Sequence, residues 1–311
     1  MSIKTVVICG PTASGKTALS VMLAKSAGGE IVSADSMQIY KGMDVGTAKV
    51  TPTEMQGVPH HMIDIVSPTE NYSTGRYVAE AAEVIADVHG RGKIPFIVGG
   101  TGMYIDNLID GTRFGAPAAD EAVREKFTAL FDEKGGGAML TELAKFDEIT
   151  ANRLHPNDKK RIVRAFEVYE MTGKPISVWD SESKLIKSPY EAVYIGLKTQ
   201  DREVLYNRIN ERVDEMFDLG LVSEVENLLK DGVPTDCTAM QAIGYKEVVA
   251  ALSGECSLDE ARDAIKQNSR RYAKRQLTWF RRNQKINWFD TDVTDIDEIY
   301  NICQKLAGFA K

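Results

Sequence analysis

Residues Gly10, Pro11, Thr12, Ala13, Ser14, Gly15, Lys16 and Thr17 have the types and spacing of a phosphate-cradling loop. The glycines permit backbone torsions that a side chain would forbid. The loop N–H groups can then turn inward beside the positive end of a helix dipole. Lys16 adds a point charge, and the Thr17 hydroxyl is placed to ligate Mg²⁺. Asp35, in Ser33-Ala34-Asp35-Ser36-Met37-Gln38, is a carboxylate that could ligate the metal, act as a general base or cap a turn. Thr101 follows Gly99-Gly100, which allow close approach of a ligand. Its hydroxyl could bond a leaving oxygen or a phosphate, or simply belong to a strand-to-helix turn. Arg208 and Arg212 share one helical face, from which an arginine could reach the phosphates or pair with Glu211, Asp214 or Glu215.

These groups need a frame to hold them. Apolar runs at 3–8, 30–33, 94–98, 192–197 and 286–289 read as buried strands, with helical patterns at 16–27 and 76–90 crossing between them. That is an α/β signature: a P-loop NTPase-like parallel sheet flanked by helices, with ligands at the carboxyl ends of the strands. The loop, Asp35 and Thr101 each follow a strand, so one sheet edge should carry all three. Residues 115–185 read as a helical insertion, broken at Gly135-Gly136-Gly137, His155-Pro156 and Gly173-Lys174-Pro175. The expected division is a core of 1–114 with 186–311, whose C-terminal region is helical, and an inserted unit of 115–185. Asn157 or Asp158 should cap the helix after His155-Pro156. His60 and His61 are adjacent and, on a strand, would face opposite ways, so structural roles are expected. Asp64 is a weak match to the acidic end of a second nucleotide motif. No Asn-Lys-x-Asp tetrapeptide is present, which disfavours a small GTPase.

The 311-residue chain carries a net charge of −7, which alone argues against a nucleic-acid partner. The distribution reverses that inference. From Ala264 to Phe289 there is no acidic residue, while Lys266, Arg270, Arg271, Lys274, Arg275, Arg281, Arg282 and Lys285 are all basic. On a helix at about 100° per residue these fall on one half, with Tyr272, Ala273, Leu277, Trp279 and Phe280 on the other. A one-sign stripe on an acidic protein points to a polyanion. Lys159, Lys160, Arg161 and Arg164 form a second basic cluster. Two such patches on different modules suggest a groove that tracks a nucleic-acid backbone. No apolar stretch is long enough to span a membrane. No leader is evident, and the four cysteines show no pairing motif, so a reducing cytoplasmic setting is expected.

Several segments, in order over nearly the whole chain, resemble the tRNA dimethylallyltransferases of bacterial type. They are residues 10–17, 33–49, 59–64, 98–104, 155–158 and 274–281, the second and last being the most specific. The resemblance implies transfer of a dimethylallyl group from its diphosphate to N6 of adenine 37, beside the anticodon, in tRNAs reading codons that start with U. The phosphate loop would then hold the donor's diphosphate rather than ATP as an energy source, with Mg²⁺ on Thr17. Asp35 would accept the N6 proton and Thr101 would touch the donor's bridging oxygen. Arg208 is favoured over Arg212 for the diphosphate. The anticodon stem-loop would be contacted by Asp35, Ser36, Met37, Gln38, Thr101 and Arg124, and by the run Lys160, Arg161, Ile162, Val163 and Arg164. Further contacts are implied for Gln241, Ala242, Ile243, Gly244, Tyr245 and Lys246, and for Lys274, Arg275, Gln276, Leu277, Thr278, Trp279, Phe280 and Arg281. A monomer is expected. A small-molecule kinase would share the loop but not the basic helix. A nucleotide-gated RNA-binding module would leave Asp35 and Thr101 idle.

Overall fold

The computed structural model describes residues 2–112, 120–183 and 187–309. Asp110–Ser188 forms one compact unit, and the flanking chain on both sides forms the other. The expected junctions at 114/115 and 185/186 lie outside the described residues.

The larger unit starts with β1 (Ile3–Cys9), α1 (Lys16–Ala27), β2 (Glu30–Ser33), α2 (Pro52–Met55), β3 (His60–His61), α3 (Thr74–Gly90), β4 (Pro95–Gly99) and α4 (Gly102–Ile109). The inserted unit holds α5 (Glu121–Leu143), α6 (Glu148–Arg153), α7 (Lys159–Thr172) and α8 (Ile176–Ser183). The chain then returns through β5 (Tyr190–Lys198), α9 (Arg202–Asp218), α10 (Leu221–Lys230), α11 (Tyr245–Leu252), α12 (Leu258–Phe280), β6 (Ile286–Asp290) and α13 (Ile296–Leu306). The five expected strands are present, each within a residue or two of its expected bounds. The short β3 was not expected, because two histidines give no apolar signal.

All pairings in the six-stranded sheet are parallel, in the order β3-β2-β4-β1-β5-β6. Alternation along β1 explains how it is held: Val6 and Ile8 enter one core with Ile31 and Phe96, while Val7 and Cys9 enter another with Val32 and Ile97. Cys9 pairs with Gly99 and Ser33 with Val98. Parallel register therefore brings the three chemistry-bearing loops to one edge.

In the inserted unit, Phe127, Met139, Leu143, Ile162, Val163 and Phe166 build a separate core. The triple glycine kinks rather than ends α5, with Gly135 at φ 75°. Asp158 is the N-cap of α7, but its carboxylate accepts the His155 N–H at 3.1 Å instead of capping the helix.

Candidate active site

At the end of β1 the chain turns sharply. A Cβ on Gly10 would overlap the Leu197 carbonyl oxygen of β5, so the loop leaves the sheet where only glycine fits. Gly15 opens α1 in the left-handed region, aiming that helix's N-terminus into the loop. Lys16 Nζ donates to the Pro11 carbonyl at 2.5 Å. Burial, then the neighbouring Arg212, lowers the Lys16 ammonium to about 8, with Asp35 opposing. Ala13 packs against the cluster of Leu205, Ile209 and Ala273, so α9 and α12 brace the loop from behind. Ser14 Oγ is buried with no hydrogen-bond partner among the described residues, a polar group left for a ligand to satisfy.

Asp35 stands at the end of β2. Its Oδ1 accepts the N–H groups of Met37 at 2.9 Å and Gln38 at 3.3 Å, leaving Oδ2 for chemistry. The turn-cap and base readings are thus compatible. Thr101 Oγ1 accepts the Ser36 N–H at 3.1 Å and donates to the Ser36 hydroxyl at 3.4 Å. Thr101 itself lies just outside the cavity lining, so its first visible role is to fix Ser36 beside Asp35.

Two cavities meet at the phosphate loop. One, of about 410 Å³, is lined by Thr12, Lys16, Thr17, Asp35, Gln38, Arg212, Tyr272 and Gln276, among others. The second, of about 920 Å³, runs along Ala13–Thr17 and the 44–51 segment. They share Lys16, Thr17, Ala48, Arg212 and Met216.

The structure separates the two arginines. Arg212 Nη1 donates to Thr12 Oγ1 at 3.1 Å and Nη2 to the Ala48 carbonyl at 3.4 Å. Arg208, the favoured residue from sequence, lines the second cavity, but its guanidinium is held by the Thr291 hydroxyl and carbonyl, both at 3.1 Å. One helical turn decides which reaches the loop. Sequence also gave no sign of Glu224. Its carboxylate accepts the N–H groups of Asp44, Val45 and Gly46 at 2.8, 2.7 and 3.1 Å, and the Tyr245 hydroxyl at 2.5 Å. It fixes the wall from which Thr47 and Ala48 accept the Gln38 amide.

The expected RNA-contacting residues divide by burial. Ile162, Val163, Tyr245 and Phe280 are buried and pack the hydrophobic cores, whereas the buried Gln276 turns its amide toward the phosphate loop. The basic stripe is shorter than expected. Helix α12 ends at Phe280; Lys266 pairs with Asp214 at 2.7 Å and Arg270 donates to Asn210 at 2.5 Å. Arg271, Lys274, Arg275 and Arg281 are exposed, and no carboxylate of the described residues pairs with them. Thr278 is exposed, Leu277 is half-buried, and Trp279 donates to Asp106 at 2.8 Å. Gln241, Ala242, Ile243 and Lys246 line the smaller cavity, and Gly244 opens α11.

Within the inserted unit, Lys159 pairs with Asp132 at 2.6 Å and Arg161 loosely with Asp158 at 3.8 Å. Arg124 and Arg164 both meet the fully buried Glu167, at 3.1 and 3.0 Å. Lys160 stays exposed. Both histidines make structural bonds, His61 to Glu30 at 2.7 Å and His60 to the Val58 carbonyl at 2.8 Å. Asp64 is spent on Lys49. All four cysteines are free; burial pushes Cys9 and Cys303 up to about 12, so neither offers a thiolate. No group of three metal-ligating side chains exists, and no helix is long and apolar enough to cross a membrane, among the described residues.

A parallel sheet whose first strand delivers a glycine-bounded, lysine-bearing loop to a helix N-terminus defines a P-loop-type phosphate-binding protein. The comparisons narrow the class. Residues 38–283 match the family model described as IPP transferase. A tRNA dimethylallyltransferase of Thermoanaerobacter sp. (strain X514) is 51% identical over 99% of both chains, and one from Geobacillus thermodenitrificans (strain NG80-2) is 52% identical over 93% of this chain and 91% of its own. Among solved structures, the full-length tRNA isopentenylpyrophosphate transferase of Bacillus halodurans aligns with a TM-score of 0.73 at 46% identity, covering 99% of this chain and 97% of that one. A eukaryotic dimethylallyltransferase acting on tRNA aligns with a TM-score of 0.82 at 30% identity, over 97% of this chain and 78% of its own. The chain belongs to the IPP transferase family.

Proposed function

We propose that the chain transfers a dimethylallyl group from dimethylallyl diphosphate to N6 of adenine 37 in tRNAs that read codons starting with U, releasing pyrophosphate. The observation that carries this reading is one shared cavity holding both the phosphate loop and Asp35. A carboxylate beside an anion cradle suits a reaction in which one partner loses a proton and the other loses a diphosphate.

The adenine must leave its stack to reach such a cavity. Its amine is a weak nucleophile because the lone pair is delocalised into the ring, so alignment with the allylic carbon supplies much of the rate. As the N6–carbon bond forms and the carbon–oxygen bond breaks, the N6 proton passes to Asp35 Oδ2. The loop amides, Lys16 and Arg212 receive the charge developing on the leaving diphosphate. The two cavities offer the base and the prenyl donor separate approaches to that point. Thr17, which lines both cavities beside Lys16, would offer its hydroxyl to Mg²⁺, and the ion would neutralise leaving-group charge. Arg271, Lys274, Arg275 and Arg281 supply exposed charge for the anticodon stem-loop. We place the activity in the cytoplasm, carried out by a monomer.

The test is incubation of radiolabelled dimethylallyl diphosphate with unmodified tRNA. The expected outcome is label on adenine 37 with equimolar pyrophosphate. Label on free adenine nucleotides, or phosphoryl transfer from ATP, refutes the reading.

A further inference from the structure

We propose that Gln276 is a positioning residue that couples RNA docking on α12 to the hold of the phosphate loop on the diphosphate. The proposal rests on the functional reading above and adds to it how the two substrates sense each other. Gln276 directly follows Lys274 and Arg275, the exposed cations of α12, yet its own side chain is only 5% exposed. It points inward and makes two bonds. Oε1 accepts the Thr12 N–H of the phosphate loop at 2.9 Å, and Nε2 donates to the Gly100 carbonyl at 3.0 Å.

Each end of the amide therefore reaches a different half of the site. Thr12 is also the residue whose hydroxyl receives Arg212. Gly100 precedes Thr101, whose hydroxyl fixes the Ser36 N–H beside Asp35. The site is built to admit the amide, since a Cβ on Gly100 would overlap Nε2. A neutral carboxamide offers one acceptor and one donor in this fork; an apolar side chain of the same size would leave the half-buried Thr12 N–H and the buried Gly100 carbonyl without this partner.

The consequence is a shared ordering step. RNA that fixes the exposed face of α12 also fixes Gln276, and through it the Thr12 amide of the phosphate loop. A diphosphate then meets a loop that is already set. Linkage makes the effect reciprocal: whatever factor RNA adds to diphosphate affinity, diphosphate adds to RNA affinity.

The test measures binding of inorganic pyrophosphate with Mg²⁺ by calorimetry, on the full chain, alone and saturated with an unmodified anticodon stem-loop. In the unmodified protein pyrophosphate should bind about five- to tenfold tighter with RNA present, and RNA tighter by the same factor with pyrophosphate present. Gln276→Met should bring that ratio below about twofold, whereas Lys274→Ala should weaken RNA binding and leave the ratio intact. A purely structural glutamine would change stability without changing the ratio. Should Gln276→Met not fold, hydrogen exchange at the Thr12 amide of the unmodified protein decides the matter: RNA alone should slow it. A ratio of one in the unmodified protein, an unchanged ratio in Gln276→Met, or a Thr12 amide indifferent to RNA overturns the coupling. Prenyl transfer with a ratio of one sinks the coupling alone; failure to bind the stem-loop at all removes the functional reading and the coupling with it.

Discussion

Replacing Arg212 by Met tests most directly which arginine serves the departing diphosphate. Arg212 meets Thr12 at 3.1 Å and Ala48 at 3.4 Å, on the wall shared by both cavities. A guanidinium there can offer two charge-assisted hydrogen bonds to a diphosphate. Each is worth about 1.5–3 kcal/mol, so together they supply roughly 3–6 kcal/mol, or about 10²–10⁴ in kcat/KM. The carbonyl and hydroxyl of Thr291 already engage Arg208, and Arg208→Met should cost less than about tenfold. A second readout comes from Lys16. Arg212 is one of the causes that lower its ammonium to about 8. Removing Arg212 should therefore move the alkaline limb of the kcat/KM profile to higher pH, while Arg208→Met should leave it in place. The assay is steady-state prenyl transfer at varied donor concentration from pH 6.5 to about 10, limits set by the titrations of interest. Equal damage from both variants, or an unmoved limb in Arg212→Met, would refute this assignment.

Asp35→Asn keeps an acceptor for the Met37 and Gln38 N–H groups but removes the base. It should lower kcat by about 10²–10⁴ with stem-loop affinity unchanged, as read by single-turnover kinetics and filter binding; a large affinity loss with normal turnover contradicts it. Neutralising Lys274, Arg275 and Arg281 together should reduce the slope of log affinity against log salt by roughly 2, at about 0.7 per phosphate contact, and an unaltered slope excludes that face. Because Lys16 is lowered to about 8, pyrophosphate should bind progressively more weakly above that pH and should take up protons as it binds, seen by calorimetry in buffers of different ionisation heat. In the ligand-free fold the sign for stability is opposite: between about 8 and 10.5 the unfolded chain binds more protons at this lysine, so its contribution to stability rises with pH.

Much of this protein was legible in its residues alone. The phosphate loop is local: its glycines, lysine and threonine act through neighbours in sequence, so their order is enough to recognise them. The strands were legible because buried β-structure leaves unbroken apolar runs, and the parallel class follows from helical patterns between those runs. From these two facts the meeting of Asp35, Thr101 and the loop at one edge was already implied. The absence of acidic residues over 264–289 likewise raised the expectation of a polyanion partner.

What only the tertiary structure decided are choices between residues of the same type and contacts between distant ones. Arg208 and Arg212 are equivalent on a helical wheel; the way α9 packs puts one on Thr12 and the other on Thr291. Whether a basic residue faces solvent or a carboxylate depends on what packs beside it, as Lys266 on Asp214 shows. Glu224 carries no local motif, and the segment that holds Gln276 does not name its partners. The three backbone N–H groups that Glu224 accepts lie 178–180 residues away, and the partners of Gln276 lie 264 and 176 residues away. A hydrogen bond of that span exists only after the chain has closed on itself, because its direction and distance are set by packing rather than by spacing along the chain.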